Sequence, residues 1–89
     1  MNTPAATVMV NVGAVRGPIY DFTEVGDGLP MHVHDEATAH ITIVARGAIT
    51  ANGTVCHAGR VLAFPAGYPH EIVAIEPNTR IINFLTAAP

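Results

Sequence analysis

The chain has 89 residues, of which 49% are hydrophobic and 12% are charged, and its formal net charge is -3. This length allows one domain, residues 1–89, with no second core, and so apolar a composition excludes a disordered chain. The four basic residues are spread singly, so there is no basic patch for nucleic acid, and no apolar run approaches the roughly 20 residues that span a bilayer.

Short strands follow one another along the chain, and almost nothing in the sequence is helical. The predicted strands are rich in β-branched or aromatic residues and are bounded by Gly, Pro, Asn or Asp. They cover residues 8–12, 19–23, 41–44, 61–64, 72–75 and 80–85. Asn52-Gly53 predicts a hairpin between two further strands at residues 49–51 and 54–56, because both turn residues tolerate a positive φ. Many short strands at close spacing predict an all-β fold, either an antiparallel barrel or a sandwich.

Four of the five histidines fall into one spacing pattern, and neutral imidazole is a common ligand of Zn, Cu, Ni and Fe. His32 and His34 point to one face of a strand because side chains alternate along it. His40 has the same parity, but an extended chain would carry it roughly 20 Å away. The chain must therefore reverse within residues 35–39 for His40 to join a metal site, and a later strand must return His70.

Glycines and a proline frame these histidines at fixed offsets. One frame, G(X)5HXH(X)3–4E(X)6G, is matched by Gly26, His32, His34 and Gly47, and a second, G(X)5PXG(X)2H(X)3N, by Gly59, Pro65, Gly67 and His70. Over residues 15–86 the sequence resembles a small single-domain cupin. The resemblance implies a jelly-roll-like antiparallel β-barrel or sandwich in which His32, His34 and His70 are metal ligands.

Two positions depart from the cupin frames. Ala74 replaces the final Asn of the second frame, and His40 replaces the Glu of the first, one residue later than usual after His34. Four-histidine sites occur in cupins, so the resemblance implies His40 as the fourth ligand, with Glu36 as the competing carboxylate. We therefore expect one divalent transition metal ion per chain, which could be Fe, Ni, Cu, Zn or Mn. All-imidazole ligation favours the first four over Mn.

An octahedral ion held by four protein ligands keeps two positions open for water, O2 or an oxygen-chelating molecule. The resemblance implies an O2-using oxidoreductase of the dioxygenase type acting on a small organic substrate. One alternative is a non-redox isomerase or lyase acting on a sugar-like or carbonyl acid. The other is a non-catalytic module that binds a small ligand or a metal. With the family's Glu absent, the candidates for a general base are Glu36, Tyr20 and Tyr68.

Strand parity also predicts which side chains face away from the histidines. If His40 and His70 point inward, the residues at odd offsets from them point outward. Four of these outward side chains are apolar: Ile41, Ile43, Val73 and Ile75. A contiguous apolar outer face is typical of an interface. We therefore expect a homodimer, which the cupin resemblance also implies.

Two sequence features predict a cytoplasmic location. The first residues carry no Lys or Arg ahead of an apolar run, unlike a secretory signal. Cys56 is the single cysteine and cannot form an internal disulfide, as is typical of a reducing compartment. We interpret Cys56 as a small buried hydrophobic residue of a strand.

Overall fold

The computed structural model describes residues 1–34 and 39–86, and these residues form nine strands and no helix. The strands are β1 (Val8–Val12), β2 (Val15–Phe22), β3 (Gly28–His32), β4 (His40–Arg46), β5 (Ala48–Ala51), β6 (Thr54–His57), β7 (Val61–Phe64), β8 (His70–Ala74) and β9 (Thr79–Thr86). They pair antiparallel in two sheets, one of order β1-β2-β9-β4-β7 and one of order β3-β8-β5-β6. The predicted all-β antiparallel architecture is confirmed. The described part of the chain has no helix that is long and apolar enough to cross a membrane.

The apolar side chains between the two sheets form the core. The fully buried members come from both sheets and include Phe22, Val44, Ile49, Cys56, Ile72 and Ile81. Cys56 is 1% exposed, which confirms its interpretation as a buried apolar residue. The alternation of buried and more exposed side chains along β4, β8 and β9 fixes the register, because a slip of one residue would turn each inward side chain to solvent.

The predicted hairpin at Asn52-Gly53 is confirmed and also reaches the neighbouring strand. Asn52 and Gly53 have φ values of 47° and 82° and connect β5 to β6. The Asn52 side chain accepts a hydrogen bond from the Glu71 backbone N–H at 2.7 Å and donates to the Pro69 carbonyl at 3.1 Å. These two bonds flank His70 and hold the start of β8 in place.

Gly47 connects β4 to β5 under two constraints that only glycine meets. Its φ is +77°, in the left-handed region that L side chains rarely adopt. A Cβ at this position would also collide with the Oγ1 atom of Thr79 and lie 3.0 Å from the Thr79 Cα. Thr79 is fully buried and anchored there, since its hydroxyl donates to the Glu76 carbonyl at 2.9 Å.

We expect Gly47→Ala to lower the free energy of unfolding by about 2 kcal/mol, from left-handed backbone strain plus overpacking against Thr79. Gly53→Ala is the matched control, because Gly53 has a similar positive φ but no atom within 4 Å of its added Cβ. The control should lose about 1 kcal/mol, from backbone strain alone. Urea unfolding of both variants measures the difference. Equal losses would show that the Thr79 contact carries no cost.

The predicted outward residues do face away from the core, but on two different sheets. Ile41 and Ile43 lie on β4 of the five-stranded sheet, whereas Val73 lies on β8 of the four-stranded sheet and Ile75 follows it. The four side chains therefore do not form one surface. A larger apolar face covers the outside of the five-stranded sheet and comprises Val8, Val10, Val12, Val15, Gly17, Ile19, Ile41, Ile43, Val61, Ala63, Ile82 and Phe84.

Candidate metal centre

Three histidines come together where β3 ends and β8 begins. His32 and His70 are direct partners in the β3–β8 register, and His34 follows β3. One ring nitrogen of each of these three histidines lies within 4.8 Å of the other two. A metal ion binds imidazole nitrogens at about 2.0–2.1 Å, so two ligand nitrogens can be at most about 4.2 Å apart. Small side-chain rotations would bring the three nitrogens within binding distance of one ion.

Backbone carbonyls fix the orientation of two of these rings. His32 Nδ1–H donates to the Pro30 carbonyl at 2.7 Å, and His70 Nδ1–H donates to the Tyr68 carbonyl at 3.0 Å. A carbonyl oxygen only accepts, so the lone pair of each ring lies on Nε2. The Nε2 atom of His70 is buried and has no hydrogen-bond partner among the described residues. Metal-binding histidines typically show this arrangement, in which one ring nitrogen is hydrogen-bonded and the other is left to bind the ion. These residues therefore fit a metal ion.

His40 lies beside this cluster, at the start of β4. Its ring centroid is 4.9 Å from those of His34 and His70, although none of its nitrogens belongs to the 4.8 Å group. Its Nε2 atom is 3.0 Å from Asn83 Oδ1 and 2.9 Å from Thr42 Oγ1, and its Nδ1 atom is buried without a partner among the described residues. The competing ligand Glu36 lies outside the described residues, as does most of the predicted chain reversal.

Burial keeps the inner histidines neutral, which is the form that binds metal. The pKa of His40 is lowered to about 4, chiefly by burial; the hydrogen bond to Asn83 opposes this shift, and the neighbouring histidines add to it. Burial also lowers the pKa of His70, against the opposing effect of its hydrogen bond to the Tyr68 carbonyl. Both imidazoles therefore offer a lone pair at neutral pH without first losing a proton.

A cavity of about 50 Å³ opens beside the cluster. Its lining combines three of the histidines with mostly apolar side chains and comprises Pro18, Tyr20, Leu29, His32, His34, His40, Asn83 and Leu85. Of the predicted general bases, the structure places Tyr20 at this cavity. Tyr68 lines a different groove beside Phe64 and Pro65, and only its backbone carbonyl reaches the cluster.

Two residues of the site, Asn83 and Thr42, are missing from the predicted metal ligands and bases. Both side chains point inward and are at most 2% exposed. The sequence pattern of β9 could have identified Asn83 as a candidate site residue. The inward positions Ile81 and Leu85 are apolar, whereas Asn83 between them carries an amide. A polar side chain at an inward strand position needs a hydrogen-bond partner, which here is His40.

Comparison with solved structures finds other proteins that superpose on most of this chain. An RmlC-like cupin protein from Desulfovibrio desulfuricans superposes with a TM-score of 0.73 at 20% identity, over 88% of this chain and 77% of that one. The chain has the cupin fold. The cupin fold is also shared with KdgF from Halomonas sp., with a TM-score of 0.76 at 23% identity, over 89% of this chain and 74% of that one.

An oxalate oxidase in complex with the substrate analogue glycolate also matches this chain in fold. Its TM-score is 0.72 at 19% identity, and the match covers 85% of this chain but 43% of that one. No protein-family model matches the sequence, and no curated protein matches it. The similarity is thus one of fold, and the cupin fold together with the histidine cluster is consistent with a metal site.

Proposed function

We propose that this chain is a metal-binding cupin that acts with O2 on a small organic molecule chelating through oxygen atoms. The observation that carries the proposal is the group of three imidazole nitrogens within 4.8 Å, two of whose rings are oriented by backbone carbonyls. His32, His34 and His70 would hold one divalent transition metal ion, with His40 as the fourth ligand. The ion would supply Lewis acidity and, if redox-active, electrons for O2.

The cavity beside the cluster suits a ligand of only a few heavy atoms. A volume of about 50 Å³ has room for a few water-sized molecules, and Leu29, Leu85 and Pro18 give the cavity an apolar part of its wall. The glycolate bound in the oxalate oxidase of the same fold supports a short oxygen-chelating acid as the substrate class. Among the described residues outside the proposed ligand set, Tyr20 is the side chain at the cavity that could donate or accept a proton.

Three measurements on protein purified without a metal-affinity tag test the proposal. They are metal analysis, electron paramagnetic resonance, and O2-uptake assays with glycolate and oxalate as substrates. We expect about one redox-active ion per chain and O2 consumption that needs both the acid and His70. If the protein contains only zinc and shows no O2 uptake, the proposed reaction with O2 is wrong. This result would favour a non-redox isomerase or lyase if substrate turns over, or a non-catalytic binding module if it does not.

We also propose that the chain forms a homodimer through the apolar outer face of its five-stranded sheet. Phe84, Ile41 and Val61 on this face are 41–58% exposed, and a groove of about 220 Å³ crosses it. None of the face residues is charged, so two copies related by a two-fold axis could pack face to face without burying a charge. Asp21 and Arg80 pair at 2.7 Å at one end of the face and would form its polar rim.

Light scattering at micromolar concentration should return about twice the 9.3 kDa chain mass. Ile41→Glu should convert this species to a monomer, because the dimer would bury the new carboxylate. Ile75→Glu is the matched control: Ile75 is 37% exposed, close to the 42% of Ile41, but follows a strand of the other sheet. Dissociation by Ile75→Glu alone would place the interface on the four-stranded sheet instead.

The proposal includes a cytoplasmic location. It is supported by Cys56, the single cysteine of the chain, which is buried as a thiol in the core. Fractionation of the source cells with an antibody to the protein tests the location.

A further inference from the structure

The Nε2 atom of His40 lies within hydrogen-bond distance of two side-chain oxygens, which are also hydrogen-bonded to each other. Thr42 Oγ1 donates to Asn83 Oδ1 at 2.6 Å, and His40 Nε2 lies 3.0 Å from that oxygen and 2.9 Å from the Thr42 hydroxyl. The three side chains are at most 5% exposed. A buried polar group that lacks a hydrogen-bond partner destabilises the folded state. This arrangement is therefore strongly preferred over any that breaks one of its hydrogen bonds.

The orientation of the Asn83 amide follows from a gap in the β2–β9 ladder. The β2–β9 register passes from Arg16 to Ile19 without pairing Pro18, and the Pro18 carbonyl instead accepts a hydrogen bond from Asn83 Nδ2 at 3.3 Å. A carbonyl cannot donate, so the amide nitrogen must face Pro18 and the amide oxygen must face His40. That oxygen also only accepts, so the proton of the neutral His40 ring lies on Nε2.

The lone pair of His40 therefore lies on Nδ1, the opposite of the arrangement in its neighbours. His32 and His70 carry their protons on Nδ1 and offer Nε2. The Nδ1 atom of His40 is buried and has no hydrogen-bond partner among the described residues. One ring of the cluster thus presents a different nitrogen from two of the others.

We propose that Asn83, supported by Thr42, is a positioning residue that fixes the tautomer of His40 so that Nδ1 is the nitrogen offered to the metal ion. The proposal has two parts, the tautomer of His40 and the binding of the metal ion by its Nδ1 atom. Only the second part rests on the proposed metal-binding function. The tautomer itself is a property of the metal-free protein. Outer hydrogen-bond partners of metal-binding histidines typically contribute 10- to 100-fold to affinity.

Nuclear magnetic resonance of metal-free protein with 15N-labelled histidine measures the tautomers directly at pH 7.5, where neutral rings dominate. We expect His40 in the Nε2–H form and His32 and His70 in the Nδ1–H form in the same spectrum, with His40 assigned by the signals lost in His40→Gln. This measurement needs no variant of Asn83. A His40 ring in the Nδ1–H form would overturn the proposal.

Two substitutions of Asn83 separate tautomer control from packing. Asn83→Leu keeps the volume but removes the acceptor, and should leave His40 as a mixture of tautomers with His32 and His70 unchanged. Asn83→Asp keeps an oxygen facing His40 and should preserve the Nε2–H form. A packing role predicts the reverse order, because a buried carboxylate disturbs the core more than leucine does. A pure Nε2–H form in Asn83→Leu would overturn the role of Asn83.

Titration with Zn²⁺ of the same labelled samples tests the second part. We expect the His40 Nδ1 signal to shift on binding, and Zn²⁺ affinity to fall about tenfold in Asn83→Leu but to stay within about threefold of the parent in Asn83→Asp. Shifts at His32, His34 and His70 without one at His40 would remove His40 from the ligand set and overturn the proposal. No shift at any histidine would overturn the metal function too, while the tautomer result would still stand on its own.

Discussion

Replacing His70 with alanine is expected to lower the affinity for a divalent transition metal ion by more than about 100-fold. The change removes a ligand itself, which costs more than the roughly 10- to 100-fold lost with an outer hydrogen-bond partner. His70 is 1% exposed, its Nδ1–H is held by the Tyr68 carbonyl, and its ring stacks on Phe64 with centroids 4.4 Å apart. A ring so constrained binds without the entropy cost of ordering it. Competition titration with a chromophoric chelator measures the affinity.

His57→Ala is the matched control for this prediction. His57 is exposed at the end of β6 and lies outside both sequence frames, so its removal should leave metal affinity unchanged. His34→Ala should behave like His70→Ala, since its nitrogen belongs to the same group. Undiminished metal content in the His70 and His34 variants would rule out the assigned ligand set.

The metal-free protein is expected to lose about 3 kcal/mol of unfolding free energy as the pH falls from about 6.5 to about 4. The pKa of His40 is about 4 in the folded state against 6.5 for the free side chain. Between these values the unfolded chain binds a proton that the folded chain does not, so stability falls as the pH falls. A difference of about 2.5 units corresponds to about 3 kcal/mol. The lowered pKa of His70 acts in the same direction.

Urea unfolding of chelator-treated protein at several pH values between 4 and 7.5 measures this loss. His40→Gln removes the ring with the larger expected contribution and should make the profile shallower, leaving the part due to His70, whereas His57→Gln should leave it as in the parent. Asp21 contributes only near the lower limit of this window, because the hydrogen bond to Arg80 lowers the pKa of that carboxyl and the resulting stabilisation is lost mainly as the pH falls through the free value of 3.8. A parent profile that is flat between pH 6.5 and 4 would contradict the burial of a neutral His40.

The histidine frames and strand alternation made the fold class and the inward positions predictable from sequence. His40 and Thr42 are buried and Ile41 is exposed, as parity requires. Parity separates inward from outward but does not say to which of two sheets a strand belongs. The outward residues of β4 and β8 were therefore predicted as one surface, although the two strands lie in different sheets.

Two stretches of strand that contain proline were not predicted from the sequence. β2 starts at Val15, four residues before its predicted start, and contains Pro18, while β3 contains Pro30. Proline cannot donate to a ladder and usually argues against a strand. It is tolerated in β3 because β3 is an edge strand, and in β2 because the pairing with β9 skips Pro18. The role of Asn83 depends on this skipped pair and could not be derived without the register.

The placement of β9 between β2 and β4 also constrains when this protein can fold during synthesis. β9 pairs with residues up to 71 positions earlier in the chain, such as Val15 with Thr86, and forms the middle of its sheet. Until the ribosome has released Thr79–Thr86, β2 and β4 have no shared neighbour, and Asn83 cannot reach His40. Such distant pairings make folding slow, on the order of milliseconds to seconds. The nascent chain therefore exposes its apolar strands until nearly all of them have been made.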